Sequence, residues 1–102
     1  MSSTVLQINF KFSVSPAELA ESFAPLADPI AQVEGLSWKI WSLNDAKSEF
    51  AGIYLFEDAE TAQTYLEGPI IAEVSKHPAL SDISAKLFGV IDEFSKITRA
   101  PI

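Results

Sequence analysis

Hydrophobic and polar positions alternate near the start of the chain. Across residues 4–12, Leu6, Ile8, Phe10 and Phe12 fall on one side and Val5, Gln7, Asn9 and Lys11 on the other. A period of two is that of a β-strand. The period then changes. Ser15-Pro16-Ala17-Glu18 reads as a capping box, with a serine for an orphan helix amide, proline at the first helical position and glutamate to reach back. Leu19, Phe23 and Leu26 follow at helical spacing, opposite Glu18, Glu21 and Ser22. Pro25 removes an N–H and predicts a kink or the end of the regular helix. Asp28-Pro29 would then cap a short continuation through Ile30 and Val33, ended by Gly35.

Two further strands are predicted at about 36–43 and 49–56, joined as a hairpin by the polar turn Asn44-Asp45-Ala46-Lys47-Ser48. Asp58 suits the N-cap of a second helix with the stripe Ala59, Ala62, Tyr65 and Leu66, interrupted at Gly68-Pro69. Ile70, Ile71 and Val74 fit another helical turn before His77-Pro78. A fourth strand is predicted at about 82–92, with Ile83, Ala85, Leu87 and Ile91 alternating against Ser84, Lys86, Phe88 and Val90. The tail from Glu93 carries no clear period. The order βαββαβ is the α+β, ferredoxin-like plan: a four-stranded antiparallel sheet with both helices on one face. A single domain over residues 1–102 is expected.

Parity assigns the strand residues to two faces. Leu6, Ile8, Phe10, Trp38, Ile40, Ile53, Leu55, Ile83, Leu87 and Ile91 are expected beneath the helices. Gln7, Asn9, Lys11, Lys39, Trp41, Phe50, Tyr54, Phe56, Lys86 and Phe88 are expected on the open face. So much aromatic surface is near or above what a monomer normally exposes, which predicts a homodimer with a partner sheet over it. One β-bulge would exchange the faces of every residue beyond it.

Composition narrows the function classes. The net charge of −7, from 14 acidic and 7 basic residues, lacks the basic footprint that nucleic acid demands. The absence of cysteine excludes disulfides, thiolate metal sites and a cysteine nucleophile. Met1-Ser2-Ser3-Thr4 leads directly into the first strand, without a basic leader or a span of about 20 apolar residues. A soluble, cytoplasmic protein with no membrane partner is expected.

His77 is the only histidine and reads as a turn residue, and Glu57, Asp58 and Glu60 cluster at a helix start, where the dipole favours acidic groups. No metal is expected. The four glycines form no nucleotide-binding pattern, so no cofactor is expected either. The remaining candidates are aromatic and basic. Trp38 with Tyr65 suits an aromatic ligand sandwich, Tyr54 a hydrogen bond, Lys39 or Lys86 an anionic oxygen, and Asn9 the orientation of a carbonyl or phenol. The competing reading makes Trp38 and Tyr65 ordinary core, and Tyr54, Trp41 and Lys86 a dimer interface, with Asn9 satisfied across strands.

Several segments together resemble the YdhR-type mono-oxygenases of the dimeric α/β-barrel superfamily. They are Leu6-Gln7-Ile8-Asn9-Phe10-Lys11-Phe12, Pro25-Leu26-Ala27, Gly35-Leu36-Ser37-Trp38-Lys39-Ile40-Trp41, Gly52-Ile53-Tyr54-Leu55-Phe56, Tyr65-Leu66-Glu67 and Ala85-Lys86-Leu87-Phe88. The resemblance implies a homodimer whose two sheets close a barrel, each subunit keeping a sheet–helix cleft. It also implies cofactor-independent oxidation of a small phenol- or quinol-like compound by dioxygen. Under it, Trp38, Lys39, Tyr54 and Asn9 are the catalytic candidates, and Trp41, Tyr65 and Lys86 the substrate contacts. The chain departs from the family pattern between Gly68 and Asp82. The alternatives are a non-catalytic or stress-related dimer that holds a small hydrophobic ligand, and aromatics that serve dimerisation alone.

Overall fold

The computed structural model describes residues 3–102; the expected leader-free start at Met1-Ser2 lies outside the described residues. Four strands, β1 (Thr4–Phe12), β2 (Leu36–Asn44), β3 (Glu49–Phe56) and β4 (Leu80–Gly89), form one antiparallel sheet in the order β2-β3-β1-β4. Helices α1 (Pro16–Ala31), α2 (Ala59–Leu66) and α3 (Pro69–Ser75) pack on one face, and α4 (Asp92–Ile97) lies in the tail. This is the ferredoxin-like α+β fold. Among the described residues no helix is long and apolar enough to cross a membrane.

Local chemistry explains the element starts. Ser15 Oγ accepts from the Glu18 amide at 3.2 Å, and Glu18 Oε1 accepts from the Ser15 amide at 3.3 Å, so the capping box is complete. The Asp58 carboxylate accepts from the Thr61 amide at 2.8 Å and the Thr61 hydroxyl at 2.9 Å. Those bonds hold its carboxyl below the usual range.

Two boundaries differ from expectation. Pro25 does not end α1, which runs on through Pro29 to Ala31. Both prolines are exposed and four residues apart, so the carbonyls of Glu21 and Pro25, which lose their amide donors, lie on the watered side of the helix. The fourth strand spans 80–89 rather than 82–92, which leaves Ile91 outside it, and the unassigned tail contains a helical turn.

The larger correction concerns the faces. Leu36 pairs with Phe56 but Trp38 pairs with Leu55, so Ser37 is an extra residue, a β-bulge in β2. In antiparallel pairs, directly opposed residues share a face. The helix side therefore carries Leu6, Ile8 and Phe10 of β1, Phe50, Gly52, Tyr54 and Phe56 of β3, and Lys39 and Trp41 of β2. The outer side carries Trp38, Leu55, Val5 and Phe88 in one row and Ile40, Ile53, Gln7 and Lys86 in the next. The expected faces hold for β1 and for Ala85, Lys86, Leu87 and Phe88 of β4. They are reversed for Trp38, Lys39, Ile40, Trp41, Phe50, Ile53, Tyr54, Leu55 and Phe56.

The helix side encloses the main core, in which Leu6, Ile8, Phe10, Phe50, Tyr54 and Phe56 meet Leu19, Phe23 and Ile30 of α1 and Ala62 and Tyr65 of α2. Leu55, on the outer side, is only 2% exposed beside its register neighbours Trp38 and Val5. The tail returns to this end of the sheet, where Trp38 Nε1 donates to the Pro101 carbonyl at 3.0 Å.

Gly35, between α1 and β2, has φ +84°, and a Cβ built on it would lie 2.6 Å from Thr61 Cβ. Both backbone conformation and space require glycine there. Gly35→Ala is expected to cost about 1–3 kcal/mol in urea unfolding. An unchanged midpoint would show that the α1–β2 junction tolerates a side chain.

Candidate functional site

The bulge at Ser37 sets the phase of β2 so that Lys39 lies opposite Tyr54, and Trp41 opposite Gly52, beneath the helices. Gly52 makes this possible. A Cβ at that position would stand 3.2 Å from Lys39 Cε and 3.2 Å from Tyr54 Cε1, so the missing side chain leaves the lane in which the lysine stem lies. Lys39 Nζ sits 3.4 Å from the Trp41 ring centroid, 4.5 Å from that of Tyr54 and 5.8 Å from that of Phe50. The helices complete the enclosure. Phe23 of α1 packs 5.8 Å from Trp41 and 5.2 Å from Phe50, and Tyr65 of α2 packs 5.2 Å from Tyr54, between ring centroids.

A void of about 20 Å³ remains at the centre, lined by these rings, the lysine and apolar side chains including Ile71 and Val74 of α3. The 68–82 segment thus borders the cleft. A larger groove of about 390 Å³ runs between α1 and β2, over Leu19, Ala20, Ala24 and Ala27. Phe23, Trp41 and Phe50 line both spaces. Because β2 is an edge strand, the groove follows the edge of the sheet.

No carboxylate is among the residues lining the central void. Burial alone lowers the Lys39 amine from its ordinary 10.5 to about 7. The face of Trp41 opposes this by favouring the ammonium, but a cation–π contact is worth about 0.5–2 kcal/mol and does not cancel so large a displacement. Lys39 therefore exchanges a proton near neutrality. Tyr54 Oη and Tyr65 Oη lie 3.0 Å apart. Burial, reinforced by Tyr65, pushes the Tyr54 hydroxyl up, and burial also raises Tyr65, so both stay protonated. Two hydroxyls sharing one hydrogen bond leave one O–H hydrogen free for a ligand oxygen.

The structure therefore gathers four of the seven sequence candidates, Lys39, Trp41, Tyr54 and Tyr65, and places Trp38, Asn9 and Lys86 across the sheet from them. The expected Trp38–Tyr65 sandwich does not form; Tyr65 packs instead on Tyr54 and Phe56. Asn9 Nδ2 donates to Glu49 Oε2 at 3.2 Å, and its Oδ1 accepts from Gln7 at 3.0 Å. Lys86 is exposed beside them in a polar depression of about 340 Å³. His77 serves its turn, with Nδ1 accepting from the Ala79 amide at 3.1 Å. Among the described residues no cluster of His, Cys, Asp and Glu could hold a metal ion. Sequence reasoning assigned no site role to Phe23, Phe50 or Gly52. The signal was Gly52 itself, since a glycine inside a strand marks close approach.

The sequence profile of the family described as "Putative mono-oxygenase ydhR" matches residues 5–101. No curated protein sequence matches the chain. Among solved structures, the chain is similar to SnoaB, a cofactor-independent oxygenase from Streptomyces nogalater, at 21% identity and TM-score 0.72, covering 88% of this chain and 94% of that one. It is similar to a protein of unknown function from Nitrosomonas europaea at 21% identity and TM-score 0.73, covering 89% and 91%. It is also similar to the heme-degrader MhuD from Mycobacterium tuberculosis at 23% identity and TM-score 0.65, covering 85% and 95%. At these identities the likeness establishes the shared fold.

The buried amine makes stability depend on pH. In the unfolded chain Lys39 keeps its proton up to about its ordinary 10.5, whereas in the fold it keeps it only up to about 7. Between those values the unfolded state binds more protons, so stability rises with pH. Above about pH 10 the buried tyrosines reverse the sign, because only the unfolded ones ionise there. The urea midpoint is expected to rise from about pH 7 to about pH 9.5 in the wild type and to rise less in Lys39→Met. Equal slopes would show that Lys39 is not desolvated.

Proposed function

The chain belongs to the YdhR family of mono-oxygenases, and on that premise we propose that it oxidises a small phenol- or quinol-like aromatic compound with dioxygen, without a cofactor. The observation that carries this reading is the single amine held under the rings of Trp41 and Tyr54, the first of which also lines an apolar groove. The central void is too small for an aromatic ring, but the groove is within the size range of ligand sites, roughly 300–1,000 Å³. A flat substrate lies in the groove against Phe23 and Trp41; Lys39 does not itself line the groove, and the acidic group of the substrate reaches it as the rings of Phe23, Trp41 and Phe50, which line both spaces, move apart.

Unprotonated Lys39 takes the proton of the substrate. The resulting ammonium stays over the face of Trp41 and pairs with the anion it has formed. The free O–H of the tyrosine pair donates to the substrate oxygen. The electron-rich anion passes one electron to dioxygen, and the two radicals combine at the ring carbon as a peroxide. In an anthrone the CH₂ carbon gains one oxygen atom as a carbonyl, and its two hydrogens leave with the other oxygen as water. The apolar walls keep bulk water from the anion.

The same premise supports a homodimer. Ile40 is 52% exposed and Phe88 48% exposed on the outer face, in rows that include Trp38, Ile53 and Val5, and a second sheet laid on this face covers them. Trp41 then belongs to the cleft rather than to the interface.

One observation favours a second reading. Lys39 and the two tyrosines are the only titratable groups lining the central void, and they hold an anionic or hydrophobic ligand without turnover equally well.

Oxygen uptake with an anthrone separates the two. One O₂ consumed per anthrone is expected, with kcat/KM lowered about 100-fold or more in Lys39→Met and within about twofold of wild type in Lys86→Met. Tight anthrone binding without uptake would instead establish the binding protein. For the assembly, Ile40→Asp with Phe88→Asp is expected to give monomers in sedimentation at micromolar concentration. A persisting dimer would place the interface elsewhere.

A further inference from the structure

The outer face of the sheet grades from apolar to charged along its strands. Trp38, Leu55, Val5 and Phe88 form one row, Ile40, Ile53, Gln7 and Lys86 the next, and Ser42, Ala51, Asn9 and Ser84 the third. The last row holds Asn44, Glu49 and Lys11, with Asp82 in the polar depression beside it. The chain has a net charge of −7, so two copies repel each other over most of their surface. This face is balanced instead, with Lys11 and Lys86 against Glu49 and Asp82. Lys11 and Glu49 are register partners, yet their side chains turn to other groups. Lys11 Nζ donates to the Lys47 carbonyl at 3.4 Å, and Glu49 accepts from the Asn9 side chain at 3.2 Å.

A twofold axis lays one face of a sheet on the same face of its copy only if the axis runs in the plane between them. With the axis perpendicular to the strands, the Trp38–Phe88 row would meet the Lys11–Glu49 row and bury charge against hydrocarbon. With the axis parallel to the strands, each row meets its own counterpart, apolar on apolar, within the offset of about 30° usual for packed sheets. Full overlap of the four strands places this axis between β1 and β3, so that β1 faces β3 of the second copy and β4 faces β2.

We propose that a second copy of the chain docks on the outer face about this axis, held in register by two symmetric ion pairs, Lys11 of each subunit with Glu49 of the partner subunit. This arrangement rests on the homodimer reading above and adds its orientation and the contacts that select it. Packed sheets stand about 10 Å apart, a gap that a lysine and a glutamate reaching toward each other span together. The same axis sets Phe88 over Trp38 of the partner subunit, so an aromatic contact closes the apolar end. The charges choose the register, and the apolar rows supply the burial.

Charge reversal tests the pairing. Lys11→Glu and Glu49→Lys are prepared separately, one with a mass tag, and native mass spectrometry at micromolar concentration reads the dimers of each and of their mixture. Each variant alone is expected to dimerise about tenfold or more weakly than wild type, because like charges then oppose each other twice. The mixture is expected to hold more than about three-quarters heterodimer, where random exchange gives about half, because the two subunits carry opposite charges across the interface. Within either variant chain positions 11 and 49 carry like charges, so contact inside a subunit does not produce this preference. Lys76→Glu with Glu73→Lys makes the same changes of net charge at the end of α3 and is expected to mix at random. Random mixing of the Lys11 and Glu49 variants, an equal preference in the α3 pair, or wild-type affinity in both single variants overturns the arrangement while leaving the homodimer standing. A monomeric wild type overturns the homodimer reading and this arrangement with it.

Discussion

The register between β2 and β3 is the constraint on which the cleft depends. With Ser37 bulged, Lys39 and Trp41 turn beneath the helices and Trp38 and Ile40 turn away. Were Ser37 paired regularly opposite Leu55 instead of bulged, the two sets would exchange, because side chains on a strand alternate with a period of two. Lys39 would then stand in water, and two apolar side chains would occupy the space between sheet and helices. The bulge is thus a small backbone irregularity with a large chemical effect. The fold pairs it with Gly52, whose missing side chain gives the inward lysine somewhere to lie.

An amine inside a hydrophobic layer is costly unless it is neutral or compensated. Compensation here comes from aromatic faces rather than from a carboxylate. The Trp41 ring partly supports the ammonium and desolvation opposes it, so neither protonation state is strongly favoured near neutral pH. A carboxylate in the same position would have fixed the charge and removed the possibility of proton exchange. The tyrosine pair behaves oppositely. Burial keeps both hydroxyls protonated, so they act as hydrogen-bond groups rather than as charges.

The two sheet faces divide the work. The inner face combines the main core with the cleft, which is why the same rings serve packing and site: Phe50 stacks on Phe10 at 4.9 Å while also facing the lysine. The outer face is apolar toward the Trp38 and Phe88 end and polar toward Asn9, Glu49 and Lys11. Residues of both faces occur side by side in one sequence motif, Trp38-Lys39-Ile40-Trp41, so the motif joins what the fold separates.

The periodicities of the chain by themselves determined the four strands and the helices between them, in order, though not the end of β4 or the helical turn at Asp92–Ile97. Alternation in β1, the Ser15–Glu18 box, the Asp58 cap and the Gly68-Pro69 break are local signals, and local hydrogen bonds and sterics suffice to realise them. The phase of β2 and β3 was different. Trp38, Ile40, Ile53 and Leu55 are as apolar as a buried face requires, and so are Trp41, Phe50, Tyr54 and Phe56, so alternation alone was degenerate between two choices. Only tertiary structure resolved it, through cross-strand pairing with β1, the bulge at Ser37 and the fit of the aromatic rings against Phe23 and Tyr65. The grouping of Lys39, Trp41, Tyr54 and Tyr65, and the exclusion of Trp38, Asn9 and Lys86 from it, follow from that choice. Which side a strand residue faces is a property of its neighbours in space, and in this chain those neighbours come from β1, β3, α1 and α2, distant in sequence.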